Sequence, residues 1–122
     1  MVSGSCRAGD AGAQEILGMF HAGGRGIAQS HAEAVKWYRA AAVQGKASAQ
    51  FFLGGMYAEG QGVPQDPAKA HLWFNLAAAN RLTAFDAAGQ RNEIAANMTS
   101  EALAAAQARA SACMSSGYQD CD

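Results

Sequence analysis

The sequence predicts an all-α fold, an α–α superhelix (solenoid) of tandem helix-turn-helix repeats with about six helices. Two segments align without a gap at an offset of 36 residues, which Trp37 and Trp73 fix (73 − 37 = 36). Only nine of the 122 residues are β-branched (four Val, three Ile, two Thr), and alanine is abundant, which favours helices over strands. The helices are predicted over residues 11–22, 31–43, 47–58, 67–79, 83–97 and 100–114.

The first helix of each repeat carries apolar residues at helical spacing, such as Ala13, Leu17 and Phe20 in the first copy. Gly18 and Gly54 lie within these helices, where glycine costs about 1 kcal/mol relative to alanine. We therefore expect both at a close helix–helix contact, where a side chain would clash. A glycine-rich stretch ends each helix, and its recurrence after a helix indicates a helix end rather than a phosphate-binding loop.

The second helix of each repeat has a recognisable start. Ser30 with Glu33 forms a capping-box pattern, and Asp66 stands before Pro67, a residue suited to the first helical position. Each helix then carries an aromatic pair between alanines. Because these pairs recur at helical spacing, we predict core packing rather than a ligand cage for four residues: Trp37, Tyr38, Trp73 and Phe74.

The last third of the chain lacks the leucine–glycine and glycine-loop pattern. Thr83 with Asp86, and then Thr99, are predicted to start a more polar helix pair, as suits the end of a solenoid. The predicted organisation is an N-terminal segment with the remnant of a preceding repeat, two repeats, a degenerate capping helix pair and a tail, over residues 1–10, 11–45, 46–81, 82–114 and 115–122.

These features resemble the Sel-one-like repeat family, a branch of the tetratricopeptide-like α-solenoids. The second repeat, LGGMYAEGQGVPQDPAKAHLWFNLAAAN, fits the family pattern almost throughout, and the first departs from it at His21, Ala28 and Ser30. The resemblance implies a bacterial adaptor or scaffold protein with no shared catalytic residues. A cysteine-rich subset of the family is linked to penicillin binding, which leaves a β-lactam-binding enzyme as an alternative, although neither repeat contains cysteine.

The charge pattern excludes several classes of partner. The net charge is −1, with 9 basic and 10 acidic residues spread along the chain, so nothing predicts nucleic-acid binding or a membrane-surface patch. No apolar run approaches the roughly 20 residues that span a bilayer, so membrane insertion is not expected. The first residues lack the apolar region of a secretory signal, which leaves a cytoplasmic protein or one whose signal was removed.

The cysteines bear on the compartment. Seven residues, including Gly117, separate Cys113 from Cys121, so a bend can bring the two thiols together. A disulfide there would contribute roughly 2–3 kcal/mol and imply a periplasmic or secreted protein, whereas two free thiols in a tail are an equal alternative. Cys6 is left over in the N-terminal segment.

No pattern of catalytic or metal-ligating residues is present. His21, His31 and His71 are 10 and 40 residues apart, without zinc-ligand spacing, so we predict no metal and no cofactor. We expect His21 to pack, His31 to be solvated and His71 to lie on the outer face of its helix. Neither G-x-S-x-G nor S-x-x-K occurs, which argues against a serine nucleophile.

The positions at which the two repeats differ are not dictated by packing and therefore point to function. The first helices of a solenoid line its concave surface, which commonly binds partners. On that surface the differing pairs at the repeat offset are Glu15 with Phe51, Ile16 with Phe52, and Met19 with Gly55. We predict that a protein or peptide partner contacts Gln14, Glu15, Met19, Gln50 and Phe51. Phe51 is either an exposed anchor for the partner or packs against the third helix pair.

The sequence therefore predicts a non-enzymatic protein–protein interaction module. The alternative from a different class is a structural or self-associating subunit of a longer array, because the N-terminal face of the helix stack is expected to be open.

Overall fold

The computed structural model describes residues 10–23, 30–80, 87–118 and 121. Within these residues the chain forms six α-helices and no strand, which confirms the predicted all-α solenoid. The helices are α1 (Ala11–Gly23), α2 (His31–Ala42), α3 (Ala47–Glu59), α4 (Pro67–Ala79), α5 (Ala87–Ala95) and α6 (Ser100–Ser115). The predicted start at Thr83 and Asp86 and the thiol of Cys6 lie outside the described residues.

The predicted helix starts are present at α2, α4 and α6. The side-chain oxygens of Ser30, Asp66 and Thr99 each accept a hydrogen bond from the backbone N–H three residues later, at 3.1–3.2 Å. Such a cap contributes about 1 kcal/mol. Helix α3 ends at Gly60, whose left-handed backbone (φ 70°) suits glycine and lets its N–H donate to the carbonyl of Met56.

The two repeats share their internal contacts as well as their sequence. Ser30 donates its N–H to the carbonyl of His21 at 2.8 Å, and 36 residues later Asp66 donates to Tyr57 at 3.0 Å. In each repeat, this bond joins the last turn of the first helix to the N-cap residue of the second helix.

Gly18 and Gly54 lie at the predicted close contacts. A Cβ at Gly18 would lie 2.8 Å from the ring of Tyr38, and one at Gly54 would lie 2.9 Å from the ring of Phe74. Real Cβ atoms do not approach so closely, so each repeat uses a glycine to seat the aromatic ring of its own second helix.

The core is centred on the second repeat. Trp73, Phe74 and Tyr38 are buried as predicted, but Trp37 is only half-buried. Helix α4 packs against α3, α5 and α6, whereas α2 packs mainly against α1 and α3. Among the described residues, helix α4, which carries Trp73, therefore packs against one more helix than α2, which carries Trp37.

The first helix of the stack is less covered than its counterpart in the second repeat. Phe20 is 40% exposed, whereas its counterpart Met56 is 6% exposed. Met56 lies beside Ala22 and Tyr38 of the first repeat. Among the described residues no helix precedes α1, and none covers Phe20 in the way that the first repeat covers Met56.

The C-terminal tail folds back on the junction between the repeats. A disulfide joins Cys113 to Cys121, which is the first of the two alternatives that the sequence left open. Between them, the ring of Tyr118 packs over Gly45 and its hydroxyl donates to Asn80 Oδ1 at 3.0 Å. The tail thus contacts the ends of both repeats.

Candidate functional site

Helices α1 and α3 point in the same direction. Near their starts, Ser48 Oγ of α3 donates a hydrogen bond to Glu15 Oε2 of α1. Near their ends, Ala22 of α1 lines the same depression as Gly55 and Glu59 of α3. The carboxyl-terminal ends of both helices therefore lie at one edge of the molecule.

One depression on this side has a volume of about 360 Å³, and a second that shares two lining residues with it has a volume of about 200 Å³. Tyr38 and Phe52 line both depressions, and we call the two together the apolar groove. The first is lined by Ile16, Met19, Phe20, Gly23, Tyr38 and Phe52. The second is lined by Ala22, Tyr38, Phe51, Phe52, Gly55, Met56, Glu59 and Gln61.

One wall of the groove consists of large apolar side chains exposed to solvent. Ile16, Met19 and Phe20 of α1 are 47%, 49% and 40% exposed. Among the described residues, the only other large hydrophobic side chain exposed to this degree is Met114 of α6. Adjacent exposed apolar residues of this kind mark interaction surfaces more often than isolated ones do.

The floor of the groove is aromatic and uncharged. The rings of Tyr38 and Phe52 lie 5.3 Å apart between centroids. Burial, and secondarily the nearby carboxylate of Glu15, raises the pKa of the Tyr38 hydroxyl to about 12. The phenol is therefore neutral at physiological pH, and it adds no charge to the groove.

The second depression owes its space to Gly55. This residue is the counterpart of Met19 at the repeat offset (55 − 19 = 36). No atom lies within 4 Å of the position that a Cβ at Gly55 would occupy. The second repeat has glycine where the first has methionine, and this difference leaves an opening beside Phe51.

Three of the five residues predicted to contact a partner lie at or near the groove. Met19 lines it. Phe51 is half-buried and packs on Phe74 and Phe52, at 5.4 and 5.9 Å between ring centroids. Glu15 is half-buried and is held by Ser48.

Gln14 and Gln50 lie in the interior instead, which corrects their predicted place on the surface. Gln44 donates its amide to Gln14 Oε1 at 2.7 Å, and 36 residues later Asn80 donates to Gln50 Oε1 at 2.8 Å. Gln50 also donates to the carbonyl of Ala42 at 3.1 Å. Both glutamines therefore join helices within the repeat stack, because a buried amide must satisfy its hydrogen bonds.

Ile16, Phe20 and Phe52 are groove residues that the prediction did not include. Ile16 and Phe52 occupy equivalent positions and differ between the repeats, which is the criterion that selected Met19. Phe20 and its counterpart Met56 also differ, but both are large apolar residues at helical spacing, for which packing was predicted.

The histidines do not form a site. His71 is buried, which contradicts its predicted place on the outer face of α4. Burial, and secondarily the nearby Arg91, lowers the pKa of its imidazole. His21 and His31 are half-buried. In the described part of the chain, no three His, Cys, Asp or Glu side chains converge as a metal site requires, and no helix is long and apolar enough to cross a membrane.

Comparison with known families agrees with the repeat geometry. The sequence model of the Sel1 repeat matches residues 11–46 and 47–81, together 71 of 122 residues (36 + 35). The chain belongs to the Sel1 repeat family. Sel1 repeat proteins are typically protein-interaction modules.

Two solved structures show the same solenoid fold. A protective antigen of uropathogenic Escherichia coli with an SLR fold is 34% identical over 81% of this chain, with a TM-score of 0.78. A Sel1 repeat protein from Oxalobacter formigenes is 40% identical over 59% of this chain, with a TM-score of 0.58. The matches span only 21% and 30% of those two chains. No curated protein matches the sequence.

Proposed function

We propose that this Sel1 repeat protein is a non-enzymatic interaction module that binds a segment of a partner protein in the apolar groove. The observation that carries the proposal is the exposed wall of Ile16, Met19 and Phe20 facing a floor of Tyr38 and Phe52. A fully buried side chain of this size contributes about 1.5–3 kcal/mol. Covering the exposed halves of three such side chains therefore supplies a substantial part of a binding free energy.

The chemistry of the groove supports binding rather than catalysis. Its ionisable side chains are Glu59 and the phenol of Tyr38, which burial keeps neutral. Nucleophilic catalysis needs a nucleophile and a base within hydrogen-bond reach, and the lining offers no such pair. A fluorescent β-lactam is accordingly expected to leave the protein unlabelled, and covalent labelling would favour the penicillin-binding alternative.

A peptide-display experiment tests the proposal without knowledge of the natural partner. Random peptides are selected on the full chain, and the enriched peptides are then measured by fluorescence polarisation. We expect Met19→Glu to weaken binding at least tenfold, because it places a charge on the apolar wall. The melting temperature should not change, since Met19 is 49% exposed.

Met114→Glu is the matched control, because Met114 is 40% exposed on α6 and does not line the groove. Equal binding by the wild type and both variants would show that the selected peptides bind elsewhere. A library that yields no peptide dependent on Met19 would refute the proposed function.

Self-association is a second candidate function, and it is favoured by the correspondence between exposed residues of α1 and packed residues of α3. Ile16 and Phe20 of α1 correspond to Phe52 and Met56 of α3, which pack against the first repeat. A helix pair from another copy can cover the same face. Sedimentation velocity over a hundredfold concentration range decides this point: a monomer throughout would exclude it, and a dimer that Ile16→Asp dissociates would establish it.

We also propose an oxidising compartment for the protein, since disulfides such as Cys113–Cys121 persist in the periplasm or outside the cell. Alkylation of the protein in freshly lysed cells, before and after reduction, tests this. We expect the thiols of Cys113 and Cys121 to be labelled only after reduction. Labelling of both thiols without reductant would indicate the cytoplasm.

A further inference from the structure

The charged residues of the two helices beside the groove are all acidic. Among Asp, Glu, Lys and Arg, α1 contains only Glu15 and α3 contains only Glu59. Glu15 already accepts a hydrogen bond from Ser48. Glu59 is exposed, lines the second depression, and pairs with no cation in the described part of the chain.

The direction of the helices adds to this negative potential. Because α1 and α3 are parallel, their carboxyl-terminal ends meet at the edge where Glu59 lies. The last carbonyl groups of a helix carry a partial negative charge, which favours a cation within about one turn. Arg39 and Lys69 both contact Tyr57, which lies two residues before Glu59.

We infer that the groove receives a segment with two parts: large apolar side chains for the depression beside Ile16 and Met19, and a lysine or arginine beside Glu59. This inference rests on the proposed function and adds the chemistry of the partner. The groove thus selects a basic amphipathic segment over an acidic one, because its apolar depression ends at an acidic edge.

The structure also sets the spacing between the two parts. Phe52 on the groove floor and Glu59 are seven residues apart on α3, which corresponds to about 10 Å along the helix. A segment lying along α3 covers that distance with about three residues when extended, or about seven when helical. The basic residue is therefore expected at one of these two separations from the apolar anchor.

The test is peptide selection on three versions of the full chain: wild type, Glu59→Gln, and Glu93→Gln as the control. Glu93 is an exposed glutamate on α5 that does not line the groove. We expect wild type and Glu93→Gln to enrich lysine or arginine at a fixed distance from bulky apolar residues. The Glu59→Gln variant should enrich the apolar residues alone.

Affinity measurements then test the ion pair. For one enriched peptide, Glu59→Gln should weaken binding about two- to fivefold at low salt, as expected for an exposed pair, and the difference should shrink at high salt. Glu59→Lys should weaken it further, and replacing the basic residue of the peptide with glutamate should restore binding to that variant.

The outcomes separate the two proposals. Apolar peptides that depend on Met19 but show no basic preference, or bind Glu59→Gln equally well, would overturn the inference and leave the proposed function standing. The absence of any peptide dependent on Met19 would overturn both. A stable dimer that buries the groove would also overturn the inference, since the occupant would then be a second copy of the chain.

Discussion

The adjacent glycines Gly54 and Gly55 of α3 allow the cost of a steric clash to be measured, because Gly55 serves as the control for Gly54. A Cβ at Gly54 would lie 2.9 and 3.0 Å from two ring carbons of Phe74, whereas a Cβ at Gly55 would meet nothing within 4 Å. Both residues are inside the same helix, so replacing either with alanine gains the same helix propensity, about 1 kcal/mol. The difference between the two variants therefore isolates the clash.

The ring of Phe74 has little room to move, because it is buried and packs on Phe51 at 5.4 Å. Forcing a methyl group into such a core costs about 1–3 kcal/mol. We therefore expect Gly55→Ala to stabilise the protein by up to about 1 kcal/mol, and Gly54→Ala to be about 1–3 kcal/mol less stable than Gly55→Ala.

Urea denaturation followed by circular dichroism measures both free energies of unfolding. Equal stability of Gly54→Ala and Gly55→Ala would refute the close contact, and with it the explanation of why a glycine recurs at this position. The same pair of variants separates stability from binding, since a larger residue at Gly55 fills the second depression of the groove. Gly55→Leu should reduce peptide binding while the protein remains folded.

Three further predictions concern stability. Cys121→Ala opens the nine-residue loop closed with Cys113 (sequence separation 8) and should cost about 2–3 kcal/mol in thermal denaturation, with no further loss on adding reductant. Asn80→Ala leaves the buried Gln50 Oε1 without its donor and should cost about 1–3 kcal/mol in urea denaturation, and a neutral result would contradict the structural role of Gln50. The lowered pKa of His71 means that the unfolded chain takes up a proton before the folded protein does. The stability due to neutral His71 is therefore complete above its ordinary pKa of 6.5 and is lost as the pH falls below it, by at most about 1.4 kcal/mol per pH unit. His71→Leu should flatten the unfolding free energy between pH 7 and 5, and an unchanged slope would contradict the burial.

The four helices of the two repeats and their contacts were predictable because the sequence pattern of each occurs twice. Gly18 and Gly54 indicated the close contacts, and the caps at Ser30 and Asp66 placed the starts of α2 and α4. These features depend on neighbours within the same repeat, so two aligned copies are enough to identify them.

Two predictions of surface positions were wrong although the repeat offset itself indicated burial. Gln14 and Gln50 match each other at the repeat offset, which indicates packing, and both are indeed buried. His71 corresponds to Val35 (71 − 35 = 36), an apolar residue that is also buried. The sequence therefore contained the signal that His71 faces inward.

The different exposure of equivalent residues could not be predicted by comparing one repeat with the other. Phe20 and Met56 occupy equivalent positions, as do Trp37 and Trp73, yet one member of each pair is less covered. The difference comes from what stacks on each repeat from outside, and the sequence of the repeat does not encode it. The groove arises from this end effect, because its exposed wall lies on a helix with no described predecessor.

The fold-back of the tail changes how the solenoid is expected to come apart. In an open stack each repeat contacts only its neighbours, so the terminal units can fray one after another. Here Tyr118 lies over Gly45 and donates to Asn80, which in turn donates to Gln50. The last helix can leave only if the hydrogen bond between Tyr118 and Asn80 breaks at the same time. Because the disulfide closes the loop that carries Tyr118, we expect the oxidised protein to unfold more cooperatively than the reduced one.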